Sequence, residues 1–243
     1  MTFRKAQYPR LLLVMLCLFT ALLLSFSSSV KNRKSYTKSE LLGKINPSNN
    51  SDFSEIPSKY CMRAGMFLRN EVLEAYLELH KNAEDEGIKL VVISATRPFN
   101  HQKSIWDRKW ARTQYMGWQN IEKARDILKY SSMPGTSRHH WGTDLDLNAL
   151  ENSYFETDEG LKVYDFLERC GGELGFTQVY TDKSKGRTGY EEEKWHWSYM
   201  PVSSLMLEDF NELVSTEDIS GFDGSAVADS IQIIDQFVNG IAK

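Results

Sequence analysis

The sequence predicts an α+β fold, a small, mainly antiparallel sheet flanked by helices. Three observations carry this: the strand-like segments are short, helices and strands follow one another in irregular order, and no internal repeat is visible. Met66, Leu68, Val72, Leu73, Tyr76, Leu77 and Leu79 recur at helical spacing, and Gly87 supplies the residue that ends such a helix. Residues 89–93 read as a buried strand. Pro98 then biases Arg97 towards an extended backbone. Helical patterns cover residues 100–114 and 120–130, and Met133-Pro134-Gly135-Thr136 is a turn. Residues 143–147 alternate, which places Asp144 and Asp146 on one face of a strand. Asp158 is a suitable N-cap for a helix running to about residue 169, closed by Gly171-Gly172. Short strands follow at 176–180 and 195–199, then helices near 202–214 and 226–239.

A chain of 243 residues, 41% hydrophobic and 12% aromatic, can bury one core of ordinary size with segments to spare. The net charge is −4 and no basic stripe stands out, which sets nucleic-acid binding aside. At the N-terminus, Arg4, Lys5 and Arg10 precede an apolar run over residues 11–24, broken only by Thr20 and followed by serines. This is the three-part pattern of an export signal. The run is short beside the roughly 20 residues of a spanning helix. Residues 1–30 are therefore expected to be a signal peptide or an N-terminal membrane anchor, with residues 31–58, rich in Lys, Ser, Asn and Pro, as a polar linker. A folded domain over 59–215 and a helical tail over 216–243 complete the expected layout. Export leaves Cys61 and Cys170, which an oxidising compartment allows to pair; two free thiols are the equal alternative. Neither has a partner at metal-binding spacing. Oligomeric state is not legible.

Two segments carry chemistry. Residues 137–146 read Ser-Arg-His-His-Trp-Gly-Thr-Asp-Leu-Asp, and Glu193-Lys194-Trp195-His196 follows about fifty residues later. A catalytic zinc site needs three protein ligands, an open position for water and a nearby carboxylate to take a proton. His and Asp seven residues apart suit a loop leading into a strand, with Gly142 allowing a tight turn between them. Glu193 lies three residues before His196, so a turn brings its carboxylate beside the same metal. At this level His139 competes with His140, and Asp146 with Asp144.

These segments resemble the VanX/VanY-type zinc D,D-peptidases, which include D-alanyl-D-alanine carboxypeptidases and dipeptidases of bacterial cell walls. The resemblance rests on Ser137, His139, Gly142 and Asp146, then Glu193, Trp195 and His196, and on Ser94, Arg97 and Gln102 upstream. It spans roughly residues 60–200. It implies zinc held by His139, Asp146 and His196 in a cleft on the sheet, Glu193 as proton shuttle, and Arg97 stabilising the oxyanion. Residues 59–215 become, by this resemblance, a zinc carboxypeptidase-like catalytic domain. One departure is visible: the family usually has a small residue two before the Asp ligand, where this chain has Asp144.

Ser137, Gln102 and Trp195 are expected to contact substrate, although Ser137 also suits a turn and Trp195 a core. The expected protein is an exported metallopeptidase of the periplasm or cell envelope. Its expected reaction is release of the terminal D-Ala from peptidoglycan stem peptides. An L,D-carboxypeptidase, an endopeptidase and a non-enzymatic peptidoglycan-binding module are the alternatives.

Overall fold

The computed structural model describes residues 34–242, so the expected signal or anchor lies outside the described residues. From Tyr36 onward the chain forms one compact unit. Its centre is a four-stranded antiparallel sheet in the order β3-β4-β6-β5, from Val92–Ser94 (β3), Asp144–Leu147 (β4), Phe176–Gln178 (β5) and His196–Tyr199 (β6). Phe53–Glu55 (β1) and Phe67–Arg69 (β2) pair in a separate antiparallel ribbon. The helices are Lys38–Leu41 (α1), Asn70–Asp85 (α2), Phe99–Trp110 (α3), Asn120–Ile127 (α4), Asp158–Cys170 (α5), Met200–Leu213 (α6) and Ala228–Ile231 (α7). The expected α+β class with its small antiparallel sheet is what the chain adopts.

Strand alternation explains how the sheet serves two purposes. β4 is buried throughout. Leu145 and Leu147 point into a core built with Val72, Tyr76 and Leu79 of α2, Val163, Phe166 and Leu167 of α5, and Trp197 opposite Leu145. Asp144 and Asp146 point the other way, with Asp146 flanked by Ser94 on β3 and His196 on β6, and Asp144 opposite Ser198. One face is thus dry packing, and the other is a row of polar side chains.

Element edges differ from the expectation where tertiary pairing intervenes. The helix expected from Met66 begins at Asn70, because residues 67–69 pair with β1. Thr157 rather than Asp158 caps α5, its Oγ1 accepting from the Gly160 N–H. Cys61 and Cys170 are free thiols.

One larger correction concerns the domain layout. The expected polar linker is, from Tyr36 on, part of the folded body. Tyr36, Leu41 and Leu42 are buried in a second core with Trp141, Met206 and Phe210. The Trp141 indole N–H donates to the Leu41 carbonyl (3.1 Å). Gly43 has φ +71°, and a Cβ there would overlap the His140 ring. The expected helical tail is a series of short helical turns, Thr216–Asp218, Ser225–Val227, α7 and a π-helical turn at Ile234–Val238, interrupted at Gln232, whose φ is +55°. Ile219, Phe222, Ile231, Ile233 and Val238 complete the same second core, and the Trp106 N–H donates to the Asp223 carbonyl (2.7 Å). The segment at residues 36–58 lacks helical periodicity because scattered partners, Trp141 and α6 residues among them, and not one continuous face, bury its apolar residues.

A consequence is measurable. Leu41 is fully buried, so Leu41→Ala is expected to cost about 2–5 kcal/mol. In urea unfolding the midpoint falls with little change in slope. A true linker position would leave the midpoint unchanged.

Candidate metal centre

The site is built on a short turn, two strands and one loop. Ser137 leads into a 3-10 turn over Arg138–Trp141, and Gly142, with φ +73°, swings the chain into β4. Backbone bonds pin this turn: Arg97 N–H donates to the His139 carbonyl (2.9 Å), and Arg69 N–H to the Gly142 carbonyl (3.1 Å). The buried Arg69 guanidinium adds a bond to the Trp141 carbonyl (2.7 Å).

The two adjacent histidines separate cleanly. His139 Nδ1 lies 2.9 Å from the Ala95 carbonyl, which makes Nδ1 the protonated nitrogen and turns the Nε2 lone pair towards Asp146, 3.2 Å away. His140 has both nitrogens committed, Nδ1 to the Arg97 carbonyl (2.5 Å) and Nε2 to the Gly135 N–H (3.0 Å). Burial holds its imidazole neutral, with the pKa pulled down to about 3. His140 therefore braces the turn and has no lone pair to offer.

Asp146 and His196 face each other across β4 and β6. Asp146 Oδ1 is 3.2 Å from His196 Nδ1, yet it is buried without a hydrogen bond. Ligand atoms of His139, Asp146 and His196 all lie within 4.8 Å of one another. Zinc bonds of about 2.0–2.2 Å in a tetrahedron put ligand atoms roughly 3.3–3.6 Å apart. The 3.2 Å separations are close to that, and the buried Asp146 Oδ1, which accepts no hydrogen bond, is an acceptor that a cation would satisfy. The donor set fits zinc.

Behind His196 stands Asp144, fully buried, whose Oδ2 accepts from His196 Nε2 at 2.8 Å and Arg138 Nε at 3.0 Å. Burial alone would raise its carboxyl, but Arg138 and His196 outweigh that and hold it well below the usual range.

Glu193 and Arg97 flank the triad. The His196 N–H donates to the Glu193 carbonyl (3.2 Å), closing the turn that brings Glu193 Oε2 within 3.3 Å of His196 Nδ1. Arg97 donates to Gln102 Oε1 (2.8 Å) and Ser94 Oγ (2.9 Å), and its Nη2 is 3.6 Å from Asp146 Oδ2. Both side chains line a cleft of about 670 Å³ that also exposes His139, Asp146 and His196.

Comparison with known proteins fits this geometry. A family model described as VanY, D-alanyl-D-alanine carboxypeptidase, matches residues 65–202, more than half of the chain. The chain belongs to the VanY family. A D-alanyl-D-alanine carboxypeptidase of Enterococcus faecalis is 27% identical over 154 residues, covering 61% of this chain and 56% of the relative. YodJ of Bacillus subtilis is 26% identical over 157 residues, 62% of this chain and 53% of its own length. The chain thus spans about half the length of the curated relatives it matches. Among solved structures, VanYB in complex with D-alanine-D-alanine aligns with a TM-score of 0.52 at 22% identity, over 70% of this chain and 88% of that one. The LdcB LD-carboxypeptidase aligns at 0.53 and 22%, over 71% and 77%. These likenesses establish a shared VanY-like fold.

The remaining expected residues part ways within it. Ser137 lines the cleft with a buried Oγ that has no hydrogen bond. Trp195 lines the cleft with one edge and packs into the sheet core with the rest. Gln102, expected to contact substrate, is fully buried. Its carbonyl is spent on Arg97 and its amide on the Ser132 carbonyl (2.7 Å), so it positions Arg97 and leaves nothing for a ligand. Sequence reasoning missed Lys109, which sat in a helical pattern with nothing to mark it; its ammonium donates to Ser131 Oγ (2.5 Å) in the cleft wall. It also missed Tyr180, whose ring packs 4.6 Å from that of His196. Arg138 was in view only as the residue between Ser137 and His139.

Proposed function

We propose that this VanY-family chain is an exported zinc carboxypeptidase that removes the terminal D-Ala from peptidoglycan stem peptides. The observation that carries the proposal is the buried His139, Asp146 and His196 triad with Glu193 Oε2 3.3 Å from a ligand nitrogen, all facing one cleft. A closed structural metal site has no use for that extra carboxylate. Export rests on the basic, apolar and serine-rich order of the first thirty residues.

Zinc, when bound by His139, Asp146 and His196, supplies Lewis acidity and lowers the pKa of a coordinated water to about 7. Glu193 takes the proton as the nucleophile attacks the scissile carbonyl and passes it to the departing amine nitrogen. The Arg97 guanidinium faces the oxygen that becomes negative. Trp195 and Ser137 shape the cleft around the peptide. Lys109 adds a third cationic side chain to the cleft wall, after Arg97 and Arg138. Its ammonium donates to Ser131 Oγ, and burial draws its pKa below the ordinary lysine value, with the Glu193 carboxylate working against that. A free carboxylate at the end of a peptide is the partner that suits it, which favours trimming of chain ends over internal cleavage.

Incubating the purified protein with tri-, tetra- and pentapeptide stems, with and without a chelator, tests the reading. Single D-Ala released from the pentapeptide, abolished by chelation, is the expected result. Release from the tetrapeptide alone replaces it with an L,D-carboxypeptidase. No release from any stem by the zinc-loaded protein leaves a binding module. For Lys109→Met we expect kcat/KM on the pentapeptide to fall roughly 10–100-fold, the worth of a hydrogen bond to a charged group, mostly through KM. An unchanged KM removes Lys109 from the binding site.

A further inference from the structure

We propose that Asp144 is a positioning residue for the metal centre: a buried Asp144–His196 relay sets how His196 presents its ligand nitrogen, with Arg138 as the counter-charge that lets the carboxylate be buried. The inference rests on the zinc reading above. Asp144 has no exposed surface and each of its oxygens accepts two hydrogen bonds. Oδ2 takes Arg138 Nε at 3.0 Å and His196 Nε2 at 2.8 Å. Oδ1 takes Thr143 Oγ1 at 2.6 Å and Ser198 Oγ at 2.9 Å. Ser198 is tied in turn to Arg138 Nη2 at 2.7 Å.

Such a carboxylate cannot rotate away, and it only accepts. His196 must therefore carry a hydrogen on Nε2, so the nitrogen left to bind a metal is Nδ1, which faces Asp146 Oδ1 at 3.2 Å and Glu193 Oε2 at 3.3 Å. Ring orientation follows from the same bond, since Asp144 stands opposite Ser198, two residues along from the Asp146 and His196 pair. Arg138 makes the arrangement tolerable in a dry sheet: it lies over the Trp141 ring, 4.7 Å from its centre, and gives the buried carboxylate a counter-charge. His139 is oriented by a different device, the neutral Ala95 carbonyl at 2.9 Å. The two ligand histidines are thus held by groups of different charge, a carboxylate behind His196 and a neutral carbonyl behind His139.

The test compares two variants of the full protein by zinc competition with a chromophoric chelator at fixed pH, by the visible spectrum of the cobalt-substituted form, and by melting of the metal-free form. Asp144→Asn is expected to weaken zinc about 10–100-fold and to shift the cobalt bands. Arg138→Met, which keeps the carboxylate on His196, is expected to lower the melting temperature while zinc affinity stays within a few-fold of wild type and the cobalt bands stay in place. Zinc binding by Asp144→Asn within threefold of wild type overturns the relay. So does equal loss of zinc in both variants in step with their melting temperatures, which is what a merely structural pair gives. If Asp144→Asn does not fold, the double variant Arg138→Met/Asp144→Asn removes both buried charges together and is read against Arg138→Met. Failure of the wild type itself to bind zinc sinks the metallopeptidase reading instead.

Discussion

A Glu193→Gln variant is expected to keep its zinc and lose about 10²–10⁴-fold in turnover, the span attributed to a positioned general base. Glutamine matches glutamate in shape, so the setting survives the change. The Glu193 side chain is almost wholly buried, the Glu193 backbone N–H donates to the Tyr180 carbonyl (2.9 Å), and the Glu193 backbone carbonyl accepts from Gln178 Nε2 (3.2 Å). What glutamine cannot do is take a proton from water. The measurement is kcat on a pentapeptide stem alongside zinc content per chain. Geometry makes the second number informative. Glu193 Oε2 at 3.3 Å from His196 Nδ1 is about as close as Asp146 Oδ1 at 3.2 Å, so distance alone does not separate a ligand from a base. Loss of zinc together with activity would make Glu193 a fourth ligand. Persistent turnover with zinc in place would move the base elsewhere in the cleft.

How far the site was legible depended on whether its geometry is local. Period-two alternation is a property of any strand, so Asp144 and Asp146 on one face could be read directly and hold in β4. Glu193 and His196 share a single turn, and that too was within reach of spacing. The choice between His139 and His140 was not. It is made by the Ala95 and Arg97 carbonyls and the Gly135 N–H, which lie 44, 43 and 5 residues away along the chain. Gln102 shows the same limit in reverse. Its place near Arg97 was legible, but its commitment to Arg97 and the Ser132 carbonyl, 30 residues away, depends on tertiary contact. Composition misled most at residues 36–58, where polar residues outnumber the apolar ones. Tyr36, Leu41, Leu42, Phe53 and Ile56 are nonetheless each buried, and a few anchors set by distant partners bind a segment as firmly as a periodic face.

For Arg97→Lys, kcat and kcat/KM are expected to fall together by about 10²–10³-fold, the cost of losing one oxyanion-stabilising donor, with zinc retained. Keeping the charge does not rescue the site, because Arg97 works as a fork. One guanidinium nitrogen is fixed by Gln102 Oε1 at 2.8 Å and another by Ser94 Oγ at 2.9 Å, and the second of these also stands 3.6 Å from Asp146 Oδ2. Lysine offers a single point charge on a flexible stem and cannot hold both anchors at once. Gln102→Leu removes one anchor and leaves the guanidinium in place, so it is expected to lose less than Arg97→Lys while moving kcat in the same direction. The split between kinetic constants decides the role. An interaction made only as negative charge grows on the carbonyl oxygen lowers kcat, whereas a contact to the carboxylate of the bound peptide raises KM and spares kcat. A rise confined to KM would assign Arg97 to substrate binding beside Lys109, and activity within threefold of wild type would exclude it from both.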